Sequence, residues 1–139
     1  MLRQISVFLE NKQGRLCAAT KTLADAGVNI RALSLADTER FGILRIIADN
    51  TQAALDALHA AGITAKVSEV LGVLVPDRAG GLAEILNHFE AADAGLDYMY
   101  AQVQGRDDRA VLIFKVSPAD TAKSVLHAAG IETVSEADL

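Results

Sequence analysis

Two segments of the sequence place an Asn or Asp three residues before a glycine, in a pattern suited to binding a small anion. Asn11 precedes Gly14, and Asp77 precedes Gly80. The apolar periodicity predicts that a helix begins after each glycine. The first backbone N–H groups of a helix have no partner within it, and together with the helix dipole they attract a carboxylate. A glycine at this point allows positive φ or close approach of a ligand to the backbone.

Other residue types that carry chemistry are sparse. The chain has three His and one Cys, and no two His stand at the spacing of metal ligands. His59 and His127 occupy repeated positions late in predicted helices, where a cation suits the dipole. Cys17 has no base placed beside it by the sequence, so we expect it to be a small core residue. We therefore predict no catalytic residue, no metal site and no cofactor.

The composition narrows the class of protein. Thirteen Lys and Arg against 18 Asp and Glu give a net charge of −5 over 139 residues, of which 51% are hydrophobic. An acidic chain with few aromatic residues is poorly suited to nucleic acid. No apolar stretch approaches the roughly 20 residues of a membrane helix, and the N-terminus lacks the pattern of a signal peptide. We expect a soluble cytoplasmic protein with neither nucleic acid nor membrane as a partner.

The sequence repeats itself once. Residues 59–63 recur as residues 127–131, 68 positions later, whereas residues 11–16 align with residues 77–82 at a separation of 66. Residues 26–30 align with residues 94–98 at a separation of 68, which predicts a two-residue insertion between Gly81 and Gly95. Two copies indicate a duplicated module, not a solenoid. We predict one domain over residues 1–68 and a second over residues 69–139.

Each copy predicts the order strand, helix, strand, strand, helix, strand. In the first copy Leu16, Ala19, Thr20, Leu23 and Ala26 share one helix face, which we expect to face the core. We expect Gly27, Gly62 and Gly95 to end helices. Hairpin turns are predicted over residues 37–40 and 105–108. The βαββαβ order predicts the α+β class, with two tandem ferredoxin-like modules whose antiparallel sheets carry both helices on one face.

The loop sequences are similar to those of the ACT domain, a small regulatory module that binds amino acids. The similar elements are residues 11–16 with residues 27–30, and residues 77–82 with residues 95–98. Where the family often has proline, this chain has Gln13 and Ala79. The resemblance implies a non-catalytic regulatory or sensor protein, acting as a homodimer. It would bind a free amino acid or similar small metabolite between modules, near the loops that begin the helices.

The resemblance also implies which residues contact the ligand. Asn11 and Asn29 would accept hydrogen bonds from the ammonium group; the alternative is that Asn11 and Asp77 only cap a turn or helix. The full set of expected ligand-binding residues is Asn11, Gln13, Gly14, Arg15, Leu16, Asn29, Ile30, Asp77, Gly80, Gly81, Leu82 and Asp97. Residues 1–67 hold eight Lys and Arg and six Asp and Glu, and residues 68–139 hold five and twelve, so we expect the two loops to bind a ligand unequally.

Two alternative functions remain open at the sequence level. The chain resembles a regulatory subunit that binds a separate biosynthetic enzyme, of the type of the acetolactate synthase small subunit. It also shares its predicted architecture with acylphosphatases, for which Arg15 and Asn29 are the only candidate catalytic residues. Co-purification with an enzyme and assay of acyl phosphate hydrolysis distinguish these alternatives from a sensor.

Overall fold

The computed structural model describes residues 1–37, 40–103, 105 and 107–138. The contacts divide the chain into two compact units. We call Arg3–Ser68 the N-terminal unit and Glu69–Leu139, together with Met1–Leu2, the C-terminal unit. The predicted hairpin turns include Thr38, Glu39 and Arg106, which lie outside the described residues, as does Gln104.

The N-terminal unit has the predicted order of elements. These are β1 (Leu2–Glu10, which begins one residue before the unit), α1 (Arg15–Asp25), β2 (Ile30–Asp37), β3 (Phe41–Ala48), α2 (Thr51–Ala60) and the first residues of β4 (Ala65–Pro76). The strand order is β2-β3-β1-β4, with β1 and β2 both antiparallel to β3. The register pairs Glu10 with Phe41 and Asp37 with Gly42. The ends of β1 and β2 therefore lie at the same end of the sheet.

The C-terminal unit repeats this order. It comprises the rest of β4, α3 (Gly81–Ala91), β5 (Gly95–Ala101), β6 (Arg109–Ser117), α4 (Ala119–Ala128) and the short β7 (Thr133–Val134), followed by a 3₁₀ turn at Glu136–Asp138. β4 pairs antiparallel with β6 and with β7, and β5 pairs antiparallel with β6. The α+β class and the two tandem βαββαβ modules are confirmed.

Each unit has its own core, with helix residues packed on the sheet. Ala19 and Leu23 are the buried residues of α1, and Ile85 and Phe89 are among those of α3. The core of the N-terminal unit is aliphatic, whereas in the C-terminal unit Phe89 packs edge-on against Phe114, with ring centroids 5.2 Å apart. The cores confirm only part of the helix face predicted for α1.

Three predictions about α1 were wrong. Leu16 is 39% exposed, and Ala26 and Cys17 are also exposed. Leu16 and Cys17 belong to the first turn of α1, and Ala26 follows its last turn. The sheet covers the middle of the helix, where Ala19 and Leu23 lie, and leaves both ends open.

The helices end in closely similar ways, with one correction. Gly27 has φ +72° and follows α1, and Val28 N–H donates to the Leu23 carbonyl at 3.0 Å. Gly62 closes α2 in the same way, so both predicted stops are confirmed. In α3 the left-handed residue is Asp93, at φ +53°, and not Gly95. Gly95 instead begins β5.

This correction changes the alignment of the two copies. The bulge in β2 between Ile30 and Ala32 corresponds to the bulge in β5 between Leu96 and Tyr98, at a separation of 66. The two extra residues of the second copy therefore lie between β5 and β6, not before β5. Gly95 is the structural equivalent of Asn29, whereas the predicted equivalent, Asp97, occupies the position of Arg31. The similarity of residues 26–30 to residues 94–98 had suggested the wrong register.

Within the described residues, no helix has both the length and the apolar character needed to cross a membrane. The same part of the chain contains no cluster of three or more His, Cys, Asp or Glu side chains arranged to hold a metal ion.

Candidate functional site

The loop between β1 and α1 holds its glycine in the left-handed region. Gly14 has φ +87° and is the N-cap of α1, and no side chain caps the helix. A Cβ at Gly14 would meet nothing within 4 Å, so the backbone angle and not crowding requires glycine. Lys12 N–H donates to the Glu10 carbonyl at 2.7 Å and Arg15 N–H to the Lys12 carbonyl at 3.3 Å. These bonds hold the loop as a tight turn.

The first turn of α1 retains unpaired donors. Ala18 N–H makes the first helical bond, to the Gly14 carbonyl at 2.9 Å. Among the described residues, no acceptor receives a hydrogen bond from the backbone N–H of Leu16 or Cys17. Because Gly14 is the N-cap, the alternative in which Asn11 caps the helix is wrong. The two free N–H groups and the helix dipole can bind a carboxylate.

A cleft of about 170 Å³ opens beside this turn, and we call it the N-loop cleft. It lies between the loop, the start of α1, the ends of β1 and β2 and the start of β3. Its lining residues are Leu9, Glu10, Asn11, Lys12, Arg15, Leu16, Leu35, Asp37 and Gly42. Leucine side chains and four charged groups thus share one small space.

The charges of the N-loop cleft are arranged around Glu10. Lys12 Nζ lies 3.1 Å and Arg15 Nη2 lies 3.7 Å from Glu10 Oε2. The hydrogen bond from Lys12 and then the positive charges of Lys12 and Arg15 hold the pKa of Glu10 below its ordinary value. Both cations have further donors, since an ammonium has three and a guanidinium five. Asp37, at the end of β2, makes no ion pair with a described residue.

The structure separates the predicted site residues into two groups. Asn11, Gly14, Arg15 and Leu16 lie at the loop end of the N-terminal unit, with Gln13 exposed in the same loop. Asn29 and Ile30 lie at the other end of β2. Ile30 and Asp37 are seven residues apart along the strand, which corresponds to about 23 Å.

Asn29 is tied to the loop after β3 through its backbone. Its N–H donates to Asp49 Oδ1 at 3.0 Å, and Asp49 N–H donates to the Asn29 carbonyl at 3.0 Å. Asn29 therefore cannot share a ligand with Asn11 of the same unit. The same separation applies to Arg15 and Asn29, so the acylphosphatase-like alternative lacks a site that unites its two candidate residues.

The loop before α3 has the same backbone but different side chains. Gly80 is an uncapped N-cap at φ +89°, and Gly81 N–H donates to the Arg78 carbonyl at 3.1 Å. No described acceptor receives the N–H of Leu82 or Ala83, and the side chain of Asp77 does not cap the helix.

Several residues of the predicted site and of the N-loop cleft differ at the equivalent positions of the C-terminal unit, although Arg78 keeps the positive charge of Lys12. Asp77 takes the place of Asn11, Gly81 that of Arg15, Val103 that of Asp37 and Gly95 that of Asn29. A Cβ at Gly81 would lie 2.3 Å from the Pro76 carbonyl oxygen, so this loop cannot hold an arginine without moving. The C-terminal loop thus has the donors for a carboxylate, but it has no side chain at the position of Arg15 and no acidic side chain at the position of Asp37.

A second pair of clefts occupies equivalent places in the two units, on the other side of each loop. In the N-terminal unit a cleft of about 310 Å³ is lined by Phe8, Phe41 and Thr64, among others. Its counterpart of about 280 Å³ in the C-terminal unit contains two ion pairs, Arg109 with Glu132 at 3.0 Å and Arg78 with Glu84 at 3.8 Å. Both clefts contain an ion pair, since Glu10 and Arg15 line the first, but only the first is also lined by two aromatic side chains.

Sequence reasoning missed six lining residues of the N-loop cleft, which are Leu9, Glu10, Lys12, Leu35, Asp37 and Gly42. Asp37 falls in one of the predicted hairpin turns, and none of the other five has a predicted role in binding. The topology carried a usable signal, because the first and second strands of a βαββαβ module end at the same end of the sheet. An acid at the end of the second strand must therefore lie near the loop that follows the first.

Comparisons with known proteins agree with this architecture. The family model for an ACT domain pair matches residues 1–139. Protein BT0572 from Bacteroides thetaiotaomicron is 31% identical and has a TM-score of 0.92, with 99% of this chain and 94% of that chain covered. The ligand-free regulatory subunit of aspartate kinase from Thermus thermophilus is 18% identical, with a TM-score of 0.66 and 91% of each chain covered. The corresponding subunit from Thermus flavus is 15% identical, with a TM-score of 0.62 and 92% of each chain covered. No curated protein sequence is detectably similar to the chain.

Proposed function

The chain belongs to the ACT domain pair family, and from that premise we propose that it is a non-catalytic regulatory protein that binds a free amino acid in the N-loop cleft. The observation that carries the proposal is the combination of groups around this cleft. Leu16 and Asp37 both line the cleft. The backbone N–H of Leu16 donates to no described acceptor, and neither does that of Cys17, the next residue in the first turn of α1. A zwitterion needs both kinds of partner within a few ångströms.

The two ends of the ligand would be held by different elements. The ligand carboxylate would accept hydrogen bonds from the helix start and from the spare donors of Lys12 and Arg15. The ligand ammonium would donate to Asp37 and to the side-chain oxygen of Asn11. The four charged residues of the cleft sum to zero, so a neutral zwitterion leaves the charge of the site balanced.

We propose that a second copy of the chain completes the site. β2 is at the edge of the strand order in the N-terminal unit, and its Leu33 and Leu35 are 45% and 52% exposed. If two β2 strands paired antiparallel about a twofold axis, the start of each strand would lie beside the end of the other. Asn29 of one copy would then reach the Asn11 loop of its partner, although the two are about 23 Å apart within a unit.

Ligand binding would act by favouring the paired arrangement. A ligand shifts a pre-existing equilibrium only when it contacts one state better than the other. An amino acid held by Asp37 of one copy and Asn29 of another has more partners in the dimer than in the monomer. The dimer would thus be the form that the ligand stabilises.

A thermal-shift screen of the full-length protein against the twenty amino acids tests the proposal. We expect at least one to raise Tm, since a ligand at 100 times its Kd adds about 2.7 kcal/mol to the free energy of unfolding. Asp37→Asn should weaken this response about tenfold or more in ligand concentration, because it replaces a charged partner of the ammonium. Asp77→Asn is the matched control and should leave the response unchanged. A panel with no response would refute the proposal.

Light scattering tests the dimer separately. Leu33→Lys places a charge on the exposed edge strand and should convert a dimer into a monomer. Lys123→Glu, on α4 of the other unit, is a charge-changing control that should not. If wild type is monomeric with and without a ligand that raises Tm, the twofold site is wrong.

A second candidate is a regulatory subunit of a separate biosynthetic enzyme. It is favoured by the similarity in fold to two chains described as regulatory subunits of aspartate kinase, over 91% or more of each length. In that case the exposed surface would bind an enzyme in addition to an amino acid. Pull-down from native lysate with tagged wild type distinguishes the two, because a free-standing sensor is recovered without a stoichiometric enzyme.

A further inference from the structure

We propose that the N-loop cleft selects an amino acid with a branched aliphatic side chain, an inference that rests on the proposed function and names its ligand class. Three leucines line the cleft from three different elements. Leu9 comes from β1, Leu16 from α1 and Leu35 from β2. Leu9 is 7%, Leu16 39% and Leu35 52% exposed, so the cleft presents apolar surface to solvent.

The exposure of Leu16 and Leu35 is a cost that a ligand would relieve. Both leucine side chains are only partly buried, and the charged groups beside them are solvated. An aliphatic side chain placed among these leucines would remove apolar surface of both partners from water. A charged or amide side chain in the same place would lose its hydration without gaining a partner.

In the proposed function the charged groups of the cleft bind the ammonium and carboxylate groups of the amino acid, not its side chain. Asp37 faces the ammonium, and Lys12 and Arg15 serve the carboxylate. Glu10 is engaged by both cations, at 3.1 and 3.7 Å. No charged lining residue is left over for a basic or acidic ligand side chain.

The size of the cleft sets a further limit. Its volume of about 170 Å³ is the space of about six waters, at roughly 30 Å³ each in the liquid. Pockets for drug-sized ligands begin at roughly 300 Å³. Gly42 contributes no side chain to the lining, and a Cβ there would lie 3.6 Å from Leu35 Cδ1. The space suits valine, leucine or isoleucine better than an aromatic amino acid.

Titration calorimetry on the full-length protein tests the ligand class. L-valine, L-leucine and L-isoleucine should bind at least about tenfold more tightly than L-alanine, L-lysine, L-aspartate and L-phenylalanine. Leu16→Asn should weaken the best of these ligands about tenfold or more, because it puts an unpartnered amide against the aliphatic group. Leu82→Asn is the matched control in the other unit: Leu82 is 37% exposed at the equivalent position and should not affect binding.

The outcomes separate this inference from the proposed function. If a charged or aromatic amino acid binds most tightly and Asp37→Asn weakens it, the ligand class is wrong and the proposed site stands. If Leu16→Asn and Leu82→Asn bind the best ligand as tightly as wild type, the leucine lining does not select and the inference fails. If no amino acid binds, both the inference and the proposed function fail.

Discussion

The loops that begin α1 and α3 have nearly the same backbone and very different surroundings. Gly14 and Gly80 take φ of +87° and +89°, and both helices start with free N–H groups. The unit with Asp37 beside its loop has a balanced set of charges, whereas the other has Val103 there, 68% exposed. The glycine turn is therefore a feature that both modules share. Any difference in binding between the two loops would have to come from the side chains around the turn.

The cores of the two units also differ, at the same place in the helix. Leu23 of α1 and Phe89 of α3 are equivalent, and both are 1% exposed. In the C-terminal unit Phe89 and Phe114 are both buried and form an aromatic pair. The N-terminal unit distributes the same role over several smaller aliphatic residues.

The largest expected effect comes from removing Phe89. Phe89→Ala should lower the free energy of unfolding by about 3–5 kcal/mol, because it deletes a buried ring and leaves a cavity. Leu23→Ala, at the equivalent position, should cost about 2–5 kcal/mol and less than Phe89→Ala. Urea unfolding followed by circular dichroism measures both. A larger loss for Leu23→Ala would show that the aromatic pair does not dominate the C-terminal core.

The comparison of the loops is tested by the same substitution in each. Gly14→Val and Gly80→Val both force a β-branched residue to positive φ, at a cost on the order of 1–2 kcal/mol in each loop. Only Gly14→Val should abolish the thermal shift given by a bound amino acid, which at 100 times Kd amounts to about 2.7 kcal/mol. Equal loss of the shift in both variants would mean that the two loops bind alike.

Much of the fold could be predicted from the sequence, because its signals are local. The periodicity of apolar residues gave the order of elements, and the repeat gave two modules. Gly27 and Gly62 were identified as helix stops, since left-handed φ strongly favours glycine. The helix stop at Asp93 was not predicted, because Asp can adopt the left-handed φ but does not indicate it in the sequence as glycine does. As a result, Gly95 was aligned with Gly27 instead of Asn29.

The candidate site was less predictable, because part of it depends on strand pairing. Asn11, Gly14 and Leu16 are close in sequence and could be grouped from the loop pattern alone. Asp37 joins them only through the register that pairs it with Gly42. Asn29 was predicted to share a ligand with Asn11 because of the resemblance to the ACT domain, but the length of β2 separates the two residues. Sequence spacing does not contain these distances.

A difference in stability without ligand is expected where one loop tolerates a side chain and the other does not. Gly81→Ala places a Cβ 2.3 Å from the Pro76 carbonyl oxygen, so the loop must shift, at a cost of about 1–3 kcal/mol. Arg15→Ala, at the equivalent position, removes a side chain that is 54% exposed and should leave Tm nearly unchanged. Thermal melts of both variants without ligand measure the difference. A stable Gly81→Ala would mean that the two loops accommodate side chains equally.

The smallest effect concerns the ends of α1 and α3, where equivalent positions hold Gly27 and Asp93. Both residues are left-handed, at φ +72° and +53°, but only Asp93 carries a Cβ that this conformation disfavours. Asp93→Gly should therefore raise the free energy of unfolding by about 0.5–1 kcal/mol, and Gly27→Asp should lower it by a similar amount. The comparison is clean because the closing bonds match: Val28 N–H to Leu23 at 3.0 Å, and Ala94 N–H to Phe89 at 2.9 Å. If Asp93→Gly lowered Tm instead, Asp93 would have to make a stabilising contact in the folded state that outweighs its backbone strain.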